Sequence, residues 1–200
     1  MSPSIKPIQT CYKGYRFRSR LEARWAVFFD SLNIPWVYEP EGLEIKGVHY
    51  LPDFYLPDCN QFFEVKGVLK QADNNKVSAL IDAGYSITLG YDDGRFTACD
   101  LWGEYDAGKR VFGLCDGNTS LLCRCTDCGK CWFMGNAGSY KCQCCGAYAG
   151  DGHFNVLMEH YDFINQNKHY EGGNTSLWDV ARRARFEHGE NPTIQGGQKG

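Results

Sequence analysis

No stretch of the 200-residue chain is apolar for long enough to span a membrane, and its first residues lack the apolar centre of a secretion leader. A membrane partner is therefore not expected. A reducing, cytoplasmic setting is. Positive charge is not in excess. Lys and Arg number 21 against 24 Asp and Glu, so bulk charge does not mark a nucleic-acid partner. There is no internal repeat and no long low-complexity tract, which excludes a repeat array. Histidine is sparse, and His49, His153, His160, His169 and His188 form no ligand pattern, with His153 only an outlying candidate for a metal. Cysteine is what the chain has in plenty. Eleven cysteines without a secretion signal point to metal ligation rather than to a disulfide framework.

The first half reads as one α/β unit, residues 1–115. Leu21, Trp25, Phe28, Phe29 and Leu32 recur at helical spacing, which predicts an amphipathic helix over Arg20 to Asn33, with Pro35 just past its end. Trp36 to Ile45 reads as a strand bent near Pro40. Tyr50 to Leu56 and Gln61 to Lys66 are the next two strands, and Gln71 to Ala83 is a second helix ending near Gly84. Tyr85 to Tyr91 is a further strand. The expected order is helix, three strands, helix, strand. "DGNTS", Asp116 to Ser120, reads as a linker to a cysteine-rich module over 121–150. An extension follows over 151–200. Within it His153 to Tyr170 has no clean period, and 177–187 reads as a short basic helix capped by Ser176.

The two central strands carry charge. Pro57, Asp58, Cys59 and Asn60 are turn residues. A four-residue loop there sets Leu56 opposite Gln61, hence Asp53 opposite Glu64 and Leu51 opposite Lys66. Opposed Cβ atoms lie about 4.5–5.5 Å apart. Two carboxylates that close repel unless a cation or proton lies between them. The hairpin is thus expected to hold a hard cation on oxygen ligands, which suits Mg²⁺ or Mn²⁺. Lys66 shares the Glu64 face because strand side chains alternate. An exposed hairpin with a Glu–Lys ion pair is the structural alternative. Glu22 has two readings. It completes a capping box with Ser19, reaching back to the Ser19 amide, and it sits at the rim of the helix's apolar stripe, where a side chain can lean toward the sheet. Glu39 and Lys76 are weaker candidates.

"PDF…EVKG", following "FRSRLEARWAVFFDSLNIPWVYEPEG", resembles the PD-(D/E)XK, or restriction-endonuclease-like, nuclease superfamily, in particular small phage and bacterial endonucleases and transposase-associated nuclease subunits. The resemblance covers about the first half of the chain. It implies a restriction-endonuclease-like core and a DNA endonuclease leaving 5′-phosphate and 3′-hydroxyl ends. It also implies roles. Asp53 and Glu64 would bind Mg²⁺ together with the Val65 carbonyl, Glu22 would assist the metal, and Lys66 would position or activate the attacking water.

"CRCTDCGKCWFMGNAGSYKCQCCG" holds seven cysteines in Cys123 to Cys145. Cys125, Cys128, Cys142 and Cys145 form two C-x-x-C-G knuckles separated by 13 residues. Four thiolates suit tetrahedral Zn²⁺ in a closed, structural site, resembling a zinc ribbon; an iron–sulfur cluster is the runner-up. Cys123 in place of Cys125, or Cys144 in place of Cys145, would break the paired spacing. The ribbon is expected to fold on zinc as a unit separable from the rest.

Lys13, Arg16, Arg18 and Arg20 near the start, Lys130 in the ribbon, and Arg182 and Arg183 in the last helix are the candidate contacts to DNA phosphates; a solvated basic surface is the alternative for the first group and for the last helix. Two rival functions are a non-catalytic nucleic-acid-binding or adaptor protein on a nuclease fold, and a DNA junction resolvase, which needs a homodimer presenting two sites.

Overall fold

The structure, a computed structural model, describes residues 7–45, 47–67, 71–99, 105–106, 109–110, 119–135, 141–142, 144–147, 154–161 and 176–186. It is a mixed α+β fold in which strands outnumber helices. A hairpin not expected from the sequence opens it. β1 (Thr10–Tyr12) and β2 (Tyr15–Phe17) are joined by Lys13 and Gly14, whose φ angles of 48° and 81° make the left-handed pair of a two-residue turn. The chain then enters α1 (Arg20–Ser31), whose apolar face buries Ala23, Trp25, Ala26, Val27, Phe28 and Phe29. The helix stops short of Asn33, which turns left-handed at φ 55°.

The next strands are shorter than the sequence predicts. The segment read as one bent strand divides into β3 (Val37–Tyr38) and β4 (Leu43–Ile45). Glu39 at φ 43° and the following Pro40 interrupt it. The segment read as Tyr50 to Leu56 divides into β5 (Val48–Tyr50), which pairs with β4, and β6 (Phe54–Leu56). Pro52 has no N–H to give a ladder, and Asp53 lies in the bend between them. β7 (Gln61–Val65), α2 (Gln71–Asp82), β8 (Ser86–Gly90) and β9 (Phe96–Cys99) follow. One sheet runs β3-β6-β7-β8-β9. Its only parallel pair is β7 with β8, the pair that α2 connects.

Alternation along β7 divides the sheet's two faces. Phe63 packs into the core built on α1, together with Phe54, Trp25 and Phe29. Phe62 faces the other way, with Ile87, Leu89 and the α2 residues Val77, Leu80 and Ile81. After a small hairpin, β10 (Tyr105–Asp106) and β11 (Lys109–Arg110), a second sheet runs β13 (Cys131–Gly135), β12 (Thr119–Cys125), β14 (Phe154–Tyr161). β14 lies in the segment without a clean period. Its register against β12 slips between Leu122 and Cys123, where Met158 and Val156 are the successive partners. The extra residue, Leu157, breaks the two-residue alternation.

The cysteine-rich strands are packed into the same core as α1. The Phe133 ring centre lies 5.4 Å from Phe63 and 4.9 Å from Phe96. The fully buried Gln61 side chain donates to the Phe133 carbonyl at 2.6 Å and accepts from the Phe133 amide at 3.1 Å. Lys130 reaches Asp58 in the β6–β7 turn at 2.8 Å, and Arg124 donates to the Leu32 carbonyl at the end of α1. The segments 1–115, 121–150 and 151–200 therefore contribute to one hydrophobic core. Of the expected linker, 116–118 lies outside the described residues, and Thr119 and Ser120 already belong to β12. Last comes α3 (Ser176–Arg183), shorter than the 177–187 read from the sequence, with Trp178 stacked 4.5 Å from Trp25. No described helix is long and apolar enough to cross a membrane.

Candidate functional site

The register read from the turn is the register observed: Leu56 opposes Gln61, Tyr55 opposes Phe62, and Phe54 opposes Phe63. The ladder ends there, so Asp53 and Glu64 do not form a paired rung as expected, nor do Leu51 and Lys66. β6 has bent away, and the Asp53 side chain continues the ladder in place of backbone. Its Oδ2 accepts from the Val65 amide at 2.7 Å. On the other side of β7 the Lys66 amide donates to the Gly90 carbonyl of β8. Both flanking bonds fix the end of β7, from which Glu64 and Lys66 project on one face.

Each carboxylate has its own set of donors. The Asp53 Oδ1 accepts from Arg18 Nη2 at 2.5 Å, and Arg18 Nε also pairs with Glu39 at 2.9 Å. Glu64 Oε2 accepts from the Tyr50 hydroxyl at 2.6 Å, and its Oε1 pairs with Lys66 Nζ at 2.8 Å. Glu22 is 7% exposed. Its Oε2 accepts from the Tyr38 hydroxyl at 2.6 Å and from the Arg18 amide at 3.1 Å, while its Oε1 accepts from the Ser19 hydroxyl. The Ser19 oxygen takes the Glu22 amide, as a cap should. The return bond goes to the Arg18 amide, not to the Ser19 amide that the capping box predicts. β2 delivers the Arg18 amide into reach, and Tyr38 on β3 holds the carboxylate from the sheet side.

Glu22 from α1, Asp53 from the β5–β6 bend, Glu64 from β7 and Lys66 just past its end thus line one cleft of about 410 Å³, with Arg18, Tyr50 and His49 at its walls. The electrostatics follow from three carboxylates in a half-buried space. Burial and the neighbouring Glu64 and Glu22 charges push the Asp53 carboxyl up to about 7, against the Val65 N–H and the Arg18 guanidinium, which favour the ionised form. Arg18, Tyr50 and His49 are cleft residues that sequence reasoning did not place there, and Tyr38 touches the site only through Glu22 and the Arg18 amide. Tyr50 opens "YLPDF", three residues before Asp53, but nothing in the pattern says that its hydroxyl turns to Glu64. Val65 also lines the cleft. The Lys76 side chain and His153 lie outside the described residues.

A second constellation is the cysteine cluster. Cys125, Cys128, Cys142 and Cys145 bring their sulfurs within 4.8 Å of one another, and among the described residues no other His, Cys, Asp and Glu group is drawn together so tightly. The Cys125–Cys145 and Cys128–Cys142 sulfur pairs are 3.8 and 3.7 Å apart. Zinc at about 2.3 Å from four tetrahedral thiolates requires edges of about 3.8 Å. The two knuckles repeat one backbone pattern. The Gly129 amide donates to the Cys125 carbonyl and the Gly146 amide to that of Cys142, and the two glycines sit at φ 70° and 75°. The Cys125 and Cys142 amides donate in turn to Lys130 and Ala147 carbonyls. The four thiols therefore fit a tetrahedral metal such as zinc. Cys123 and Cys131 are buried in the core and Cys144 packs beside it; none joins the cluster.

Of the remaining basic candidates, Lys13 pairs with Asp30 at 2.9 Å, Lys130 with Asp58, and Arg16 is exposed on β2. Arg20, Arg182 and Arg183 meet in a separate cleft on the other side of α1. No family model, curated protein or solved structure matches this chain.

Proposed function

We propose that the chain is a divalent-metal-dependent nuclease of the PD-(D/E)XK type, cutting DNA phosphodiester bonds to leave 5′-phosphate and 3′-hydroxyl ends. The observation that carries this reading is the meeting of Glu22, Asp53, Glu64 and Lys66, from three separate elements, in one cleft. The oxygens of the three carboxylates, with the Val65 carbonyl, are the hard donor set that Mg²⁺ or Mn²⁺ takes. Such an ion supplies a bound water of lowered pKa and neutralises charge on the phosphate. The protein's own part is positional. Arg18 and Lys66 balance Asp53 and Glu64 in the absence of the ion. An ion held by Asp53, Glu64 and Glu22 would take over that charge balance, and the Lys66 ammonium beside Glu64 would orient water or phosphate. Tyr38 and Tyr50 hold Glu22 and Glu64 in place. The cysteine cluster is a Zn²⁺ site with a structural role, because four protein ligands leave no position for substrate.

The test is purified protein on a panel of single- and double-stranded DNA and RNA with Mg²⁺, Mn²⁺ or EDTA, followed by labelling of the ends. Cleavage of DNA that needs the divalent ion and exposes 3′-hydroxyls supports the reading. Binding to DNA without cleavage in any ion would favour the adaptor reading instead. Two variants separate the roles. Lys66→Ala is expected to cut at least about 100-fold more slowly, the scale of a lost proton-transfer or positioning group, with DNA affinity little changed. Lys66→Arg should not restore the rate, since a planar guanidinium does not replace a compact ammonium. Glu22→Gln keeps one acceptor oxygen for Tyr38 and the Arg18 amide, turns the other oxygen into an N–H donor toward the Ser19 hydroxyl, and loses the charge. Lost cleavage at an unchanged melting temperature would assign Glu22 to the metal, and retained cleavage would leave it as a cap.

A further inference from the structure

Five arginines converge where like charges should repel. Arg20 and Arg24 on α1, and Arg182, Arg183 and Arg185 at the end of α3, line a cleft of about 430 Å³ together with Phe186. Asp179 is the carboxylate that answers them among the described residues. It pairs with Arg182 at 2.6 Å and more loosely with Arg183 at 3.6 Å. Arg20 and Arg24 have their Nε atoms buried without a hydrogen-bond partner. Burial and the neighbouring Arg20 charge lower the Arg24 pKa, the opposite of what an ion pair does. Arg20 is also the first residue of α1, where the helix dipole disfavours a cation.

The packing that creates this arrangement is specific. Trp178 lies against Trp25 and Phe28 of α1, at 4.5 and 5.6 Å between ring centres, and Ala181 is fully buried beneath it. Docking α3 this way sets its basic end beside Arg20 and Arg24. A buried guanidinium donor with no acceptor costs free energy until an acceptor arrives, and a cleft of several guanidiniums matches the oxygens of a phosphate.

We propose that this arginine cleft binds phosphate groups of the nucleic-acid backbone, as a second grip separate from the acidic cleft. The proposal rests on the nuclease reading for the identity of the phosphate's carrier. At 100° per residue, Arg20 and Arg24 share one face of α1 while Glu22 points to the opposite side. The two clefts therefore flank the start of α1. A strand held by the arginines lies next to the acidic cleft without entering it. The cleft grips any backbone, since phosphate contacts carry no base information.

The experiment measures binding of a fluorescent DNA duplex by anisotropy in EDTA, at several salt concentrations, with tripolyphosphate as the small-anion probe in parallel melting scans. The double variant Arg24→Gln/Arg185→Gln is expected to bind about tenfold more weakly. Its log K against log salt should flatten by about 0.9 for each phosphate that is no longer neutralised. Its melting temperature should be equal or higher, since repulsion is relieved. Arg24→Lys/Arg185→Lys should keep most of the salt slope. Unchanged affinity and slope in the glutamine variant would overturn the proposal. So would a melting shift by tripolyphosphate that the variant loses while its DNA binding stays intact, since the cleft would then serve a small anion. Arginine-dependent DNA binding without cleavage in Mg²⁺ would sustain the grip and sink the nuclease reading. Cleavage and binding both indifferent to the variant would do the reverse.

Discussion

Asp53→Asn is expected to abolish DNA cleavage and at the same time to raise the melting temperature of the metal-free protein at pH 8. The two effects share a cause. The Asp53 carboxyl is pushed from a usual 3.8 to about 7, chiefly by burial and by Glu64. Between those values the folded protein holds a proton that the unfolded chain has released, so stability falls as pH rises from about 4 to about 7. Above 7 the ionised side chain is a standing cost. Asparagine removes the charge and keeps an oxygen for the Val65 amide. The gain should be several degrees, at about 2–4 °C per kcal/mol for a chain of this size. It should vanish below pH 4, where both states of the wild type are protonated. Mg²⁺ should raise the melting temperature of the wild type more than that of the variant, because a ligand that binds only the folded state stabilises it. A variant that cuts DNA normally would remove Asp53 from the chemistry.

Cys128→Ser is expected to release the metal and to lower the melting temperature of the whole chain by at least about 10 °C. Zinc contributes on the order of 10 kcal/mol to small modules that fold on it. The separable unit expected from the sequence would lose its structure alone. The structure argues for a shared loss. Phe133 packs on Phe63 and Phe96, and Gln61 ties β7 to the Phe133 backbone. Unpinning the knuckles therefore loosens the sheet that positions Glu64. One transition at lower temperature, with cleavage reduced, is the predicted result. About one zinc per wild-type chain should be found by metal analysis. A zinc-free wild type with an unchanged melting curve would make these cysteines ordinary core residues.

What could be read in the sequence was local. The apolar spacing of α1, the "PDCN" turn with its register, and the two C-x-x-C-G knuckles each depend on residues close in the chain, where periodicity and turn chemistry act. The strands end earlier than alternation predicts because Glu39 and Asp53 sit in bends that alternation alone does not signal; of the neighbouring prolines, Pro40 marks a bend in the sequence and Pro52 marks the other. The β1–β2 hairpin was missed because "YKGY" offers only three-residue strands and a Lys at the left-handed position, a weaker cue than Asn-Gly.

Long-range partners were not legible. Arg18 looked like one of a row of basic residues. Its placement on Asp53 comes from the hairpin before it and the bend opposite. Gln61 reads only as the first residue of a strand and is the fully buried link to Phe133. The arginine cleft joins residues about 160 positions apart through Trp178, and no spacing rule reaches that far.

Asp53, Glu64 and Lys66 are proposed to form a metal-dependent cutting site. Nicking of supercoiled plasmid DNA by wild type and Glu64→Ala side by side, in Mg²⁺ and in EDTA, tests it most directly. Relaxed and linear products are predicted from wild type in Mg²⁺ alone, and intact plasmid from the variant in every condition. Equal nicking by both proteins, or nicking that persists in EDTA, would contradict it.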